Sequence, residues 1–302
     1  MKLKSNKLML YLMFFCCIIT VVLAKDTAAQ ETSAAYAIQL EQNNDELLET
    51  VANIYSKNMI LVNLDNGEVI GEICGEDRIY PASLTKIMTT IVCLEQLNDL
   101  SETIALEEDM FSELSEEGAS MAGFSPGEKV KAMDLLYGVM LPSGADAAVG
   151  LANKISGSEE NFVKLMNRKA ENLGMEDSQF VNCTGLHDDN HYSTLEDLVK
   201  LLQYALKNNI FREIFTTKTH ETSGGLALTS TMFEKLDAGR MDSRYIMGGK
   251  TGYTGQAGLC LASIAKINGN NYLLITANAA GNHNTEPYHI QDAVSIFNSI
   301  GE

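Results

Sequence analysis

Apolar and polar positions along this chain follow two periods, and the switches between them mark out its elements. Met59-Ile60-Leu61-Val62-Asn63-Leu64 and Glu68-Val69-Ile70-Gly71-Glu72-Ile73 flank Asp65-Asn66-Gly67, which predicts two strands folded on an Asn-Gly turn. A helix follows directly: from Leu84, apolar residues recur at Ile87, Met88, Ile91, Leu94 and Leu97. Further helices are predicted for Lys131 to Met140, Ala147 to Ile155 and Glu160 to Leu173, separated by Leu141-Pro142-Ser143-Gly144 and by Gly157-Ser158. Phe180 to Ser193 reads as a loop, and Ser193 or Thr194 then caps a helix that runs through Ala205. Gly258 to Lys266 and Asn271 to Ala279 are strand-like runs joined by Asn268-Gly269-Asn270, and a last helix covers about Ile290 to Ile300. Two strands, a helical block, two or three strands and a closing helix imply an α+β fold. Its antiparallel sheet holds both chain ends and carries an inserted helical lobe at about residues 100–215.

The N-terminus changes the picture of where the chain works. Lys2, Lys4 and Lys7 precede an apolar run from Leu8 to Ala24, the pattern of a secretory signal over residues 1–24, with cleavage after Ala24 or Ala29. The run is also just long enough for an uncleaved membrane anchor. Either reading puts the rest outside the cytoplasm, secreted or held at the outer face of a bacterial cytoplasmic membrane. Membrane contact is expected only through this segment. Residues 25–44 read as a polar linker that turns helical towards Leu47 and Val51, leaving 45–302 as the folded domain.

Composition narrows the partners. The chain has 302 residues and a net charge of -18, so general electrostatic binding to nucleic acid is excluded. Cys74, Cys93, Cys183 and Cys260 form no C-x-x-C pair and read as buried thiols; neither a metal nor another cofactor is expected. The acidic clusters between Glu102 and Val130 read as a solvated face. His187-Asp188-Asp189-Asn190-His191 reads as a turn.

The candidate chemistry lies at the start of the helix after the hairpin. Ser83 and Lys86 are three residues apart on a helix, so a hydroxyl and an amine share one face. Ser263 and Lys266 repeat the spacing inside a predicted strand, where residues three apart face opposite sides and cannot cooperate. Three elements then occur in order: Ser83-x-x-Lys86, Ser143-Gly144-Ala145 and Lys250-Thr251-Gly252. With Pro81-Ala82, Thr184-Gly185-Leu186-His187, His191-Tyr192-Ser193-Thr194 and Tyr253-Thr254, they resemble the serine D-alanyl-D-alanine carboxypeptidases of the low-molecular-weight penicillin-binding group, peptidase family S11. The likeness covers about Asn53 to Phe297.

That resemblance implies a β-lactamase/transpeptidase-like fold and an acyl-enzyme on Ser83. Lys86 would be the general base and Ser143 a proton shuttle. Lys250 and Thr251 would bind the substrate's terminal carboxylate, and the Tyr253 backbone N–H would join that of Ser83 in holding the oxyanion. The implied substrate is a peptidoglycan stem peptide ending in D-Ala-D-Ala, with β-lactams as covalent inhibitors and a role in wall maturation or glycopeptide resistance. Lys86 can act as a base only when neutral, and bringing its pKa from about 10.4 towards 7 takes roughly 4–5 kcal/mol of bias, from burial and a neighbouring cation. One departure stands out: the family has Asn where this chain has Ala145, so an expected contact to the substrate amide is missing. Asp146 matches the residue after that Asn and reads as a helix start. Three rivals stay open. A Ser-His-Asp hydrolase lacks a G-x-S-x-G elbow, and a secreted serine β-lactamase lacks its usual loop glutamate. A penicillin-binding sensor without turnover is suggested by Ala145.

Overall fold

The computed structural model describes residues 19–23, 36–40 and 45–301. Two strands, β1 (Ile19–Leu23) and β2 (Tyr36–Leu40), precede helix α1 (Asp45–Ala52), and the Asn-Gly hairpin follows as β3 (Asn58–Asn63) and β4 (Val69–Ile73). A 3-10 turn (Ala82–Leu84) then runs into α2 (Thr85–Gln96). The inserted lobe starts with β5 (Thr103–Ala105), α3 (Asp109–Glu116) and β6 (Lys129–Lys131). It continues through α4 (Ala132–Met140), α5 (Ala145–Ser156), α6 (Glu159–Leu173), α7 (Leu195–Ala205) and α8 (Asn209–Thr216). A small hairpin of β7 (Thr219–Glu221) and β8 (Ala227–Thr229) leads into α9 (Thr231–Gly239). The chain closes with β9 (Ile246–Thr254), β10 (Gly258–Ile267), β11 (Asn270–Ala279) and α10 (Tyr288–Gly301).

Among the described residues the main sheet has seven strands in the order β1-β2-β4-β3-β11-β10-β9, every neighbouring pair antiparallel. Its central strands are apolar on both faces, because helices cover both sides. In β3, Met59 and Leu61 point to one core while Ile60 and Val62 point to the other; in β11, Leu274 and Leu273 divide the same way. The smaller core packs α1, α9 and α10 on one face, with Phe297, Ile290 and Ile296 from α10. The larger core fills the space between the opposite face and the lobe. α2 runs through it. Every residue from Thr85 to Cys93 is buried, including the polar Thr85, Lys86, Thr89 and Thr90.

The expected helices and strands form, with adjusted ends. Thr194 is the cap of α7, its Oγ1 accepting from the Asp197 N–H at 3.1 Å, and α6 begins at Glu159 under Ser158. The helix expected from Leu84 begins instead as the 3-10 turn that holds Ser83. Two expectations at the N-terminus are revised. The segment read as linker contains β2, and the end of the apolar run, Ile19–Leu23, pairs with it as a sheet edge. Of the signal or anchor expected over residues 1–24, residues 1–18 and 24 lie outside the described residues. Among those described, no helix is long and apolar enough to cross a membrane. The acidic residues between Glu102 and Val130 face solvent as expected, with Glu107, Glu108, Asp109, Glu113, Glu116 and Glu117 exposed, on a stretch that forms β5, α3 and β6 and buries Met110 and Leu114 of α3.

Candidate active site

The site forms where α2, the α4–α5 link, β9 and the 180s loop converge. Two non-glycine residues here have left-handed backbone, Ala82 at φ +47° and Ser143 at φ +67°. Such conformations cost on the order of 1–3 kcal/mol and persist when the surroundings impose them. The imposing contacts are visible. Gly185, itself at φ +81°, packs so close to the turn that a Cβ there would lie 1.9 Å from the Ala82 carbonyl oxygen. On the other side a Cβ at Gly252 would stand 3.1 Å from the Ser83 amide nitrogen, so β9 passes directly beside the turn.

Ser83 is half-buried at the start of α2, and Lys86 lies one turn on. The Lys86 Nζ is 3.2 Å from Ser83 Oγ and donates to the Thr184 carbonyl at 2.6 Å. Burial pushes the Lys86 amine down to about 8, while the Asp146 and Glu159 carboxylates work in the opposite direction. Lys250 on β9 is 1% exposed and donates to the Thr251 carbonyl at 2.9 Å. Its amine is pushed well down, by burial first and by the Lys86 charge second. Burial is therefore the main cause for both amines.

Ser143 sits in the link between α4 and α5, buried, and its Oγ has no hydrogen-bond partner. It is poised beside the cleft without a bond to Lys86. The Thr251 hydroxyl meets Thr231 Oγ1, the first residue of α9, at 2.6 Å. Ser83, Lys86, Ala145, Thr184 and Tyr253 line an open cleft of about 480 Å³. A second chamber of about 70 Å³ is lined by Ser83, Ser143, Thr251 and Tyr253 together with Lys235, His283 and His289. Ser83 and Tyr253 line both spaces, Lys86 lines the cleft, Ser143 and Thr251 line the chamber, and Lys250 lines neither.

Asp146 does more than start a helix. Its buried carboxylate accepts from Ala122 N at 2.8 Å, Gly123 N at 3.2 Å, Phe124 N at 3.3 Å and Ala147 N at 3.0 Å. The Ala145 N–H donates to the Ser120 carbonyl at 2.7 Å. These bonds fix the wall that carries Ser120, a cleft residue that motif reading missed. Glu159 performs a similar task opposite, accepting from Cys183 N at 2.7 Å and so anchoring the loop whose Thr184 carbonyl holds Lys86.

The repeated spacing at Ser263 and Lys266 separates as its strand requires: Ser263 is fully buried and Lys266 exposed. The place where Ser, His and Asp meet is not a relay either. His220 Nε2 lies 2.8 Å from Asp134 Oδ1, and Ser223 Oγ donates to Asp134 Oδ2, so both bond the carboxylate and not each other. His191 closes the expected turn, its N–H donating to the Asp188 carbonyl. Its Nδ1 accepts from Val181 N at 3.3 Å, which leaves Nε2 to donate to Thr85 Oγ1 at 2.8 Å. Cys93, Cys183 and Cys260 are buried free thiols, and Cys74 is partly buried.

Residues 42–281 match the model of the peptidase S11 family, described as D-alanyl-D-alanine carboxypeptidase. The chain belongs to the D-alanyl-D-alanine carboxypeptidase family. It is 36% identical over 217 residues to the D-alanyl-D-alanine carboxypeptidase DacF of Bacillus subtilis, covering 70% of this chain and 54% of that protein. The chain thus spans about half the length of that relative. A family member from Streptomyces sp. strain K15, named D-alanyl-D-alanine carboxypeptidase, is 32% identical over 219 residues, 69% of this chain and 75% of that one. The crystal structure of the Streptomyces K15 DD-transpeptidase superposes with a TM-score of 0.72 at 29% identity, covering 82% of this chain and 97% of that chain. The α+β carboxypeptidase-family fold expected from the motifs is the fold found.

Proposed function

We propose that this protein is a serine D-alanyl-D-alanine carboxypeptidase that trims peptidoglycan stem peptides outside the cytoplasm, in wall maturation. The observation that carries the reading is the Lys86 amine 3.2 Å from Ser83 Oγ, with burial holding that amine near neutrality at the floor of an open cleft. Neutral Lys86 takes the proton as Ser83 Oγ attacks the carbonyl carbon of the penultimate D-alanine. The backbone N–H groups of Ser83 and Tyr253 receive the developing oxyanion. The proton then passes from Lys86 through Ser143 to the leaving nitrogen, the C–N bond breaks, and D-alanine departs. Water hydrolyses the ester, giving the shortened peptide and restoring Ser83. Thr251 binds the terminal carboxylate from β9, and the buried amine of Lys250 bonds the Thr251 carbonyl.

β-Lactams place a strained amide in the same position and become covalent inhibitors. Export is supported by Lys2, Lys4 and Lys7 ahead of the apolar run. Cleavage after Ala24 would remove β1, so N-terminal sequencing of the exported protein decides whether that edge strand stays.

Two ligands test the function. The purified protein is incubated with benzylpenicillin and with an N-acylated peptide ending in D-Ala-D-Ala, and mass and free D-alanine are followed. A long-lived adduct on Ser83 with D-alanine release is the expected result. Rapid penicillin turnover without D-alanine release would replace the reading by a β-lactamase, and an adduct without peptide cleavage by a sensor. Ser83→Ala is expected to abolish both reactions and Ser263→Ala to leave them nearly unchanged.

A further inference from the structure

The open cleft and the smaller chamber meet at the nucleophile. Four residues line both spaces: Ser83, Ser120, Tyr253 and His283. His283 belongs with β9, its ring edge-on to that of Tyr253 at 4.6 Å between centroids. Ser120 stands on the opposite, α5 side, held there because its carbonyl accepts from the Ala145 N–H at 2.7 Å. The wall that follows it packs tightly on the α4–α5 link: a Cβ at Gly144 would lie 2.5 Å from the Ala122 Cβ and 2.8 Å from the Ala122 nitrogen. Ser120 is therefore fixed at its backbone. It is nevertheless exposed, and among the described residues its hydroxyl has no hydrogen-bond partner. The neighbouring side chains on that wall offer no donor: Ala119 and Ala145 end in methyl groups, Gly118 has no side chain, and Glu117 carries an exposed carboxylate.

Strand geometry fixes what this hydroxyl faces. β9 is an edge strand, paired with β10 on one side only. A ligand whose reacting carbonyl sits on the Ser83 and Tyr253 N–H groups lies extended along the free side of β9. In an extended chain the N–H and C=O of one residue point to the same edge, and those of the next residue point to the other. The attacked residue thus turns both groups towards β9, and the carbonyl that precedes it points across the cleft to the α5 wall. We propose that the Ser120 hydroxyl donates to this preceding carbonyl, which makes Ser120 a substrate-binding residue of the acyl side. The inference deepens the carboxypeptidase reading and rests on it for the point of attack.

Two penicillins isolate the carbonyl concerned. Benzylpenicillin carries an acylamino group, and 6-aminopenicillanic acid has the same fused rings with a bare amine in its place. The second-order rate constant for acylation of Ser83 is measured by mass for both compounds. Ser120→Ala is expected to slow benzylpenicillin about tenfold and 6-aminopenicillanic acid less than about twofold, with the urea midpoint unchanged. Ser120→Thr, which keeps the hydroxyl, is expected to stay within about threefold of the unaltered protein on both. Equal slowing of the two compounds by Ser120→Ala, no slowing of either, or a loss in Ser120→Thr as large as that in Ser120→Ala overturns the proposal. If benzylpenicillin alone depends on Ser120 yet no D-alanine is released from a peptide ending in D-Ala-D-Ala, Ser120 keeps its role and the carboxypeptidase reading falls.

Discussion

At the scale of single residues the site turns on how proteins discharge a lysine. Lys86 and Lys250 are almost wholly enclosed, and burial alone carries Lys86 from its ordinary range to about 8. With Lys86 as the proposed base, which acts only when neutral, the rate of acylation by benzylpenicillin is expected to rise with pH along a limb centred near 8. The Glu159 carboxylate favours the charged amine, so Glu159→Gln is expected to move that midpoint to lower pH. A pH–rate profile that keeps its midpoint in the variant would remove Glu159 from the site's electrostatics. Ser83, Lys86, Ser143, Thr251 and Lys250 were legible in sequence because each sits in a short motif whose spacing is set by one element. Lys235, His283 and His289 were not. They come from three separate segments, and only packing of α9 and α10 beside β9 brings them together.

At the scale of elements, the links do as much as the helices they join. Three N–H groups on Asp146, those of Ala122, Gly123 and Phe124, tie the start of α5 to the wall they form, while a fourth, of Ala147, belongs to the helix itself. Hydrogen bonds to a charged acceptor contribute about 1.5–3 kcal/mol each. Asp146→Asn exchanges that acceptor for a neutral amide. It is expected to lower unfolding stability by about 2–4 kcal/mol, read by urea denaturation at pH 7, and to slow penicillin acylation by loosening the Ser120 side of the cleft. An unchanged urea midpoint would sink the idea. The hairpin around Asp65-Asn66-Gly67 was readable because its turn chemistry is local. The three-residue strands β5 to β8 and the short helices α3, α8 and α9 were not, since elements of that length are decided by what they pack against.

At the scale of the whole molecule, two enclosed histidines set an acid limit. Burial depresses His191 to about 4 and His289 to about 3, below the ordinary 6.5. The unfolded chain therefore binds protons that the folded chain refuses, and stability is expected to fall as pH drops from about 6.5 to about 4. Each group contributes on the order of 3 kcal/mol to that loss. Urea midpoints measured from pH 7 to pH 4 check this, and His191→Gln is expected to remove about half of the slope between pH 6.5 and pH 4. The sheet order has a different kind of outcome. β1 and β9 are opposite edges, with five strands between them, so at about 4.8 Å per strand β9, beside which Ser83 lies, is roughly 30 Å across the sheet from the N-terminal strand. The same order makes edge strand and anchor exclusive. With Ile19–Leu23 paired to β2, only Leu8 to Ile18 remain ahead of the sheet, and a span needs about 20 apolar residues, so a chain held in a bilayer through this run would have to give up β1 and leave β2 as the bare rim of the sheet.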